Sequence, residues 1–314
     1  MQKTTPFTKD CLGLRVGIVN KNGTDLLLNI KDYQPTLAEN MPYSDKYKQD
    51  ILSDNIKQTM VDVDLILMAG NVGAYRSGIT DAENLPNNDK LSLSIGGGRR
   101  NVYHRQLRDK NETLTKKKID EILDHEQHKY YDPKAEFWFT IGHENTHSLG
   151  PKTKSDNLGK YSAIIEENKA DMGGLAFADI LTQLDYYTNE QRQKLIVTSV
   201  TEFFINAKPL LSEAHEVRTV IQNYYFFKKK AYKITENGKI YVDIDKVVQT
   251  AYEMLEKIIE VQLNNTLADG ERYVTKYFVW TKEMELIAGK LNKLDSILNC
   301  KIENKLADKL LFEK

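Results

Sequence analysis

The amino-acid sequence predicts a mainly α fold of the α+β class, arranged as one continuous domain. We expect a small mixed α/β part over residues 1–115 and a helical region over residues 116–314. Before about residue 110, short β-rich runs alternate with loops that contain Gly, Asn and Pro. Beyond about residue 117, apolar residues recur every three to four positions, which is typical of helices that pack against a core.

The N-terminal part contains three runs of β-type residues and one run with helical spacing. Leu14 to Val19 and Leu26 to Ile30 predict two strands joined by a hairpin turn at Asn22-Gly23, because this dipeptide tolerates positive φ. Ser44 to Leu67 carries apolar residues at roughly helical spacing and predicts a helix. Leu91 to Ile95 alternates like a strand. These runs predict a small mixed sheet with one helix.

The remainder of the chain is predicted to be helical apart from one short hairpin. The hairpin lies at Ile234 to Val242 and turns at Asn237-Gly238. The predicted helices are Lys117 to His128, Pro133 to Leu149, Lys160 to Leu184, Asn189 to Ala207, Leu211 to Lys230, Val247 to Leu263 and Lys282 to Leu298.

Composition narrows the classes of partner and compartment. Lys and Arg total 44 and Asp and Glu total 45, so the formal net charge of −1 favours neither nucleic acid nor an anionic membrane as partner. The longest apolar run, Val63 to Ala69, contains Asp64 and is too short to span a bilayer. The first residues lack the apolar stretch of a secretory signal, and Cys11 and Cys300 are too few for a disulfide framework. We therefore expect a cytoplasmic protein that binds neither nucleic acid nor membranes.

A pair of histidines one helical turn apart predicts a metal site. His143 and His147 lie four residues apart and share one helix face, so their imidazole nitrogens can reach one metal ion. Glu144 follows the first histidine and is rotated off that axis, where it can act on a metal-bound water as a general base. This is the His-Glu-x-x-His arrangement of zinc peptidases.

A second helix offers carboxylates for the same ion. Glu167 and Asp171 are again four residues apart, and a catalytic zinc with two histidines needs one further protein ligand. We predict Glu167 as that ligand and Asp171 as the acceptor of a hydrogen bond from a ligating histidine. Glu166 competes with Glu167 for the ligand role, because the choice depends on the phase of the helix. Otherwise Glu166 supports the site from outside the ligand set or contacts a substrate amine.

A simpler interpretation is two exposed histidines followed by a solvated charged helix face. The apolar run Phe137 to Ile141 argues against it, because it turns this helix towards the core. Buried histidines need partners, and a metal ion supplies one. Small residues on the second helix, among them Ala170 and Gly174, would allow the close helix packing that a shared ion requires.

These two segments resemble the motifs of the dipeptidyl peptidase III family of zinc metallopeptidases. The first reads His143-Glu144-Asn145-Thr146-His147 and is followed by Gly150-Pro151, and the second reads Glu166-Glu167-Asn168-Lys169-Ala170-Asp171. Asn84-Leu85-Pro86-Asn87 and Glu213-Ala214-His215 are also similar. The chain looks like a short or divergent member, since the best-known members have one more residue between the histidines and are about twice as long.

The resemblance implies a helical zinc-peptidase catalytic lobe with one zinc ion per chain and an oligopeptide substrate cut near its N-terminus. It makes His143, His147 and Glu167 the zinc ligands and Glu144 the general base. It also implies that His215 hydrogen-bonds the substrate or the transition-state oxygen. Judged without the resemblance, His215 is as well explained as a packed structural histidine, and Tyr224 and Tyr225 are weaker candidates for the oxyanion donor.

The expected activity is zinc-assisted hydrolysis of peptide bonds, in which Glu144 takes the proton of the attacking water. Two other interpretations remain open. One is a catalytically inactive peptide-binding or regulatory protein that retains this lobe. The other is a purely structural zinc ion. Affinity alone does not select zinc over other divalent metals. The sequence gives no oligomeric state.

Overall fold

A computed structural model describes residues 14–47, 59–69, 82–85, 100–104, 116–151 and 155–297. Helices dominate from residue 116 onwards, and a small sheet lies in the N-terminal part, so the predicted mainly helical α+β class is confirmed. Within the described ranges, no helix combines the length and the apolar character that crossing a membrane requires.

The N-terminal sheet has four strands, which are β1 (Leu14–Val19), β2 (Thr59–Ala69), β3 (Ala82–Leu85) and β4 (Arg100–His104). Their order in the sheet is β1-β2-β4-β3. β2 pairs antiparallel with β1 and parallel with β4, and β3 pairs antiparallel with β4. Strand β1 is therefore an edge strand, and β2 connects it to the rest of the sheet.

The predicted hairpin at Asn22-Gly23 is wrong, because helix α1 (Lys21–Asn29) occupies this segment. The partner of β1 is β2, which leaves residues 26–30 free to place Leu27 and Ile30 on one buried helix face. Gly23 allows the helix to lie close to Asp62, because a Cβ atom on Gly23 would overlap the buried carboxylate of Asp62.

The helix predicted over Ser44 to Leu67 is also wrong in the part that the structure describes. A short 3-10 turn covers Ser44–Lys46, and β2 starts at Thr59. Met60, Asp62 and Val63 of β2 are buried, and the strand pairs with β1 on one side and with β4 on the other. Pairing with two neighbouring strands outweighs the helical spacing of the apolar residues. The strand predicted at Leu91 to Ile95 lies outside the described residues.

The helices of the second part match most of the predicted ones. After α2 (Gln34–Glu39), residues 116–122 form α3. The helices that follow are α4 (Pro133–His147), α5 (Ser155–Leu158), α6 (Ser162–Ala176), α7 (Ala178–Gln183), α8 (Asn189–Glu202), α9 (Ala214–Lys228), α10 (Ile244–Asn264), α11 (Leu267–Tyr277) and α12 (Lys282–Ile297).

Two departures concern the segments around these helices. Helix α11 was not predicted, although Thr266 accepts a hydrogen bond from the backbone N–H of Asp269 at 3.1 Å and so marks its start. Residues 125–130 form a 3-10 helix where a continuous helix was predicted. The predicted hairpin is confirmed as β5 (Tyr232–Ile234) and β6 (Ile240–Val242), with Gly238 at φ 67° in its turn.

Helices α4 and α6 cross at a contact between small residues. A Cβ atom on Gly142 would lie 3.0 Å from the Cα atom of Gly174, and one on Gly173 would overlap the side chain of Thr146. Thr146 cannot turn away easily, because it is 1% exposed and donates a hydrogen bond to the carbonyl of Gly142 at 2.8 Å. The close helix packing predicted around Gly174 is therefore present.

The crossing predicts opposite effects for two Gly to Ala substitutions. Gly173→Ala should lower the free energy of unfolding by about 1–3 kcal/mol, because the added methyl group forces α4 and α6 apart. Gly289→Ala is the matched control, since Gly289 is an exposed residue of α12 whose Cβ atom would meet nothing within 4 Å. It should raise the free energy of unfolding by about 0.5–1 kcal/mol. Urea denaturation measures both, and a stable Gly173→Ala protein would contradict the observed crossing.

Candidate metal centre

The two predicted histidines face each other on α4. The Nε2 atoms of His143 and His147 are 3.1 Å apart, and their rings are nearly perpendicular. The side chains are 12% and 11% exposed, so both rings lie largely inside the protein. A single ligand atom or ion placed beside the two Nε2 atoms would contact both.

A carboxylate of α6 forms a hydrogen bond with the Nδ1 atom of each histidine. Nδ1 of His143 lies 2.7 Å from Oδ1 of Asp171, and Nδ1 of His147 lies 3.0 Å from Oε1 of Glu166. A carboxylate accepts hydrogen bonds, so each Nδ1 carries the proton and each neutral ring presents a lone pair at Nε2. Two lone pairs 3.1 Å apart repel unless a proton or a cation lies between them. The pair is therefore arranged to share a proton or a cation.

Glu144 completes a group that could hold a metal ion. His143, Glu144 and His147 each offer a ligand atom, and these atoms lie within 4.8 Å of one another. Glu144 is 6% exposed, so its carboxylate is more deeply buried than the histidine rings. The structure thus brings the three residues of the His-Glu-x-x-His segment together.

The two competing carboxylates, Glu166 and Glu167, approach different nitrogen atoms of the histidines. Glu166 binds His147 at Nδ1, which is the side away from the shared Nε2 face. Oε2 of Glu167 lies 3.6 Å from Nε2 of His143. Of the two carboxylates, Glu167 is therefore the one that lies near an Nε2 atom.

Asp171 is fully buried and accepts hydrogen bonds from three side chains. Besides His143, Nε of Arg218 donates at 2.5 Å and Nε2 of Gln222 donates at 2.9 Å, both from α9. Burial acts to raise the pKa of Asp171, but the charge of Arg218 and the bond from His143 outweigh it and lower the pKa. The carboxylate thus stays ionised and keeps its hold on His143.

Sequence reasoning missed Arg218 and Gln222. Nη1 of Arg218 also donates to Oε2 of Glu167 at 3.0 Å, so one guanidinium joins the two carboxylates of α6. The two α9 residues are four apart and share a face, which was visible in the sequence. A buried Asp171 requires a cation as partner, but the sequence does not say which helix supplies it.

The structure brings His215 to the edge of the site. Its side chain is 67% exposed, so it is not a packed structural histidine, and its Nδ1 lies 3.4 Å from Oε2 of Glu167. The same nitrogen lies 2.5 Å from Nη1 of Arg218. By contrast, Tyr225 is 2% exposed and its ring packs against Tyr277 at a centroid distance of 5.6 Å.

The charges around the histidines leave an excess of negative charge. The carboxylates are Glu144, Glu166, Glu167 and Asp171, and the cations that contact them are Lys169 and Arg218. Among these side chains the carboxylates outnumber the cations, which favours a cation beside the histidines. Burial acts to lower the pKa of His143, but the bond to Asp171 and the nearby carboxylates raise it overall.

Comparison with known proteins assigns the fold. The chain superimposes on the structure of DPP III from Caldithrix abyssi with a TM-score of 0.78, at 21% identity, over 90% of this chain and 55% of that one. The structure of dipeptidyl-peptidase III from Corallococcus sp. strain EGB gives a TM-score of 0.79, at 21% identity, over 90% of this chain and 53% of that one. The chain therefore has the fold of dipeptidyl peptidase III, as its motifs predict.

Sequence comparison finds a curated relative with a different name. Nudix hydrolase 3 from Arabidopsis thaliana is 24% identical over 290 residues, which is 89% of this chain and 36% of the plant protein. No protein-family model matches the chain. The chain spans about half the length of the solved peptidases and about a third of the curated relative.

The lowered pKa of Asp171 predicts how stability depends on pH. Unfolding returns this carboxyl to its ordinary pKa of about 4, so at acidic pH the unfolded chain binds more protons than the folded protein. The free energy of unfolding of the metal-free protein should therefore fall as pH drops below about 5. Asp171→Asn should flatten this dependence and lower stability at pH 7 by about 2 kcal/mol.

Urea denaturation between pH 7 and pH 3 measures the effect of Asp171→Asn. Asp185→Asn is the control, because Asp185 is exposed at the end of α7, and it should leave both the stability and the pH dependence unchanged. Equal pH dependence in wild type and Asp171→Asn would show that the ionised Asp171 does not stabilise the fold.

Proposed function

We propose that this chain is a zinc metallopeptidase lobe that hydrolyses peptide bonds of oligopeptides. The observation that carries the proposal is the pair of Nε2 atoms 3.1 Å apart, each on a ring whose Nδ1 is bound to a buried or partly buried carboxylate. The dipeptidyl peptidase III fold supports it, since the solved structures with this fold are named as peptidases.

The side chains present fit a catalytic zinc ion. His143, His147 and Glu167 would hold it, which is the two-histidine, one-carboxylate ligand set that leaves a coordination position open. Structural zinc sites are usually closed and rich in cysteine, so this set favours a catalytic ion. The excess of carboxylates over cations among these side chains favours a divalent cation.

The remaining residues of the site would perform the proton transfers of peptide hydrolysis. A bound zinc ion supplies Lewis acidity, which acidifies a water molecule and polarises a carbonyl group. Glu144 is adjacent to both histidines and 6% exposed, so its carboxylate is shielded from bulk water where it would accept the proton of the attacking water. Glu144 then donates this proton to the leaving amine.

His215 is the proposed donor to the developing oxyanion. Its ring is 67% exposed and stands beside Glu167, so a substrate can reach it without displacing core residues. A donor to the oxyanion has to face the open side of the metal, and His215 lies on the same side of Glu167 as Arg218. Arg218 would keep Glu167 and His215 in place.

A second candidate function is a catalytically inactive peptide-binding or regulatory protein that keeps this lobe. The chain covers 55% and 53% of the two solved peptidases, so the activity of those whole proteins is a proposal for this lobe. The match to the plant Nudix hydrolase 3 covers 36% of that protein, so its name does not transfer to this lobe.

The proposal predicts that Glu144→Gln separates metal binding from catalysis. Zinc-loaded wild type should cleave oligopeptides, and Glu144→Gln should lower kcat by about 10²–10⁴-fold while it binds zinc as tightly. Glu253→Gln is the matched control, because Glu253 lies on α10 and pairs with Lys229 on the surface. Mass spectrometry of peptide digests gives the rates and the cleavage sites.

Other outcomes of this experiment separate the two candidates. Peptide binding with equal and negligible turnover in wild type and Glu144→Gln would support the inactive binding protein. Full activity in Glu144→Gln would exclude Glu144 as the general base. Cleavage that releases dipeptides from N-termini would extend the proposal to the specificity of the solved peptidases.

A further inference from the structure

The second histidine of the candidate site occupies the terminal position of its helix. His147 is the last residue of α4, whereas His143 lies a full turn inside it. The last carbonyl groups of a helix have no intrahelical donor, so helix ends fray unless other groups bind them. A ligand at this place needs support that a ligand in the helix interior does not.

A buried lysine from α6 supplies this support. Lys169 is 3% exposed, and its Nζ donates to the carbonyl of Leu149 at 2.8 Å and to the carbonyl of His147 at 3.4 Å. The positive charge also lies at the carboxyl end of α4, where the helix dipole favours a cation. Lys169 thus fixes the backbone at the point where the helix ends.

The same ammonium group fixes the carboxylate that holds the ring of His147. Nζ of Lys169 lies 2.9 Å from Oε1 of Glu166, and this oxygen accepts the hydrogen bond from Nδ1 of His147 at 3.0 Å. Nε2 of Gln262 on α10 binds the other oxygen at 3.0 Å. The ammonium group therefore contacts the backbone carbonyls of His147 and Leu149 and the carboxylate that binds the His147 ring.

We propose that Lys169 is the positioning residue for His147, holding both its backbone and its Nδ1 partner so that its Nε2 faces the candidate metal. The expected change in zinc affinity rests on the proposed function, whereas the expected change in the tautomer of the His147 ring does not. His143 does not depend on Lys169, because its Nδ1 is bound to Asp171, which Arg218 and Gln222 hold.

Three variants test this role. Lys169→Met removes the charge and the donors at similar length, Lys169→Arg keeps both, and Arg192→Met removes a different buried cation. Arg192 is 8% exposed and pairs with Asp179 and Asp245, away from the histidines. It controls for the loss of stability that the removal of any buried cation causes.

The readouts are the zinc dissociation constant, from competition with a chromophoric chelator, and the tautomers of the histidine rings in metal-free protein, from long-range ¹H–¹⁵N spectra. Lys169→Met should weaken zinc binding about 10–100-fold, and Lys169→Arg should recover most of this loss. The His147 ring should lose its uniform Nδ1–H tautomer in Lys169→Met while His143 keeps it. Arg192→Met should change the melting temperature but neither readout.

Unchanged zinc affinity and an unchanged His147 tautomer in Lys169→Met would overturn the inference. If wild type itself takes up no zinc, the proposed function fails, and the tautomer measurement still decides whether Lys169 positions His147. If Lys169→Met is insoluble, Lys169→Gln replaces it, because glutamine keeps one donor but neither the charge nor the reach. The same 10-fold or larger loss of zinc affinity is then expected.

Discussion

Two hydrogen bonds between neighbouring helices organise the candidate site. Asp171 and Glu166 of α6 bind the Nδ1 atoms of His143 and His147 on α4, and so direct both Nε2 atoms to one point. This geometry requires that the two helices lie unusually close, which the contact between Gly142 and Gly174 allows. The glycines of the crossing and the carboxylates of the site therefore depend on each other.

Burying several carboxylates costs free energy, and the cations around the site offset part of this cost. Charges removed from water destabilise a protein unless partners and hydrogen bonds compensate them. Arg218 from α9 joins Asp171 and Glu167, and Lys169 neutralises Glu166 at the end of α4. Carboxylates outnumber these two cations, which would favour a divalent ion in the proposed site. The packing of the helical region thus sets the charge that such an ion would meet.

The sequence was informative where structure is local and uninformative where it depends on distant partners. The four-residue spacing of His143 and His147 is set by the helix period, so their common face followed directly. Gly23 misled the prediction of a hairpin, because it permits the approach of Asp62, a strand residue distant in sequence. The choice between Glu166 and Glu167, and the parts played by Lys169 and Arg218, likewise depend on how helices pack.

In the proposed site, the Nε2 atoms of His143 and His147 share a divalent cation. Diffraction at the zinc absorption edge, from crystals grown with zinc, tests it most directly, since the anomalous signal locates the metal without reference to activity. We expect one peak at about 2.0–2.1 Å from both Nε2 atoms. A peak bound elsewhere, or fully zinc-soaked crystals without signal at this face, would contradict the claim.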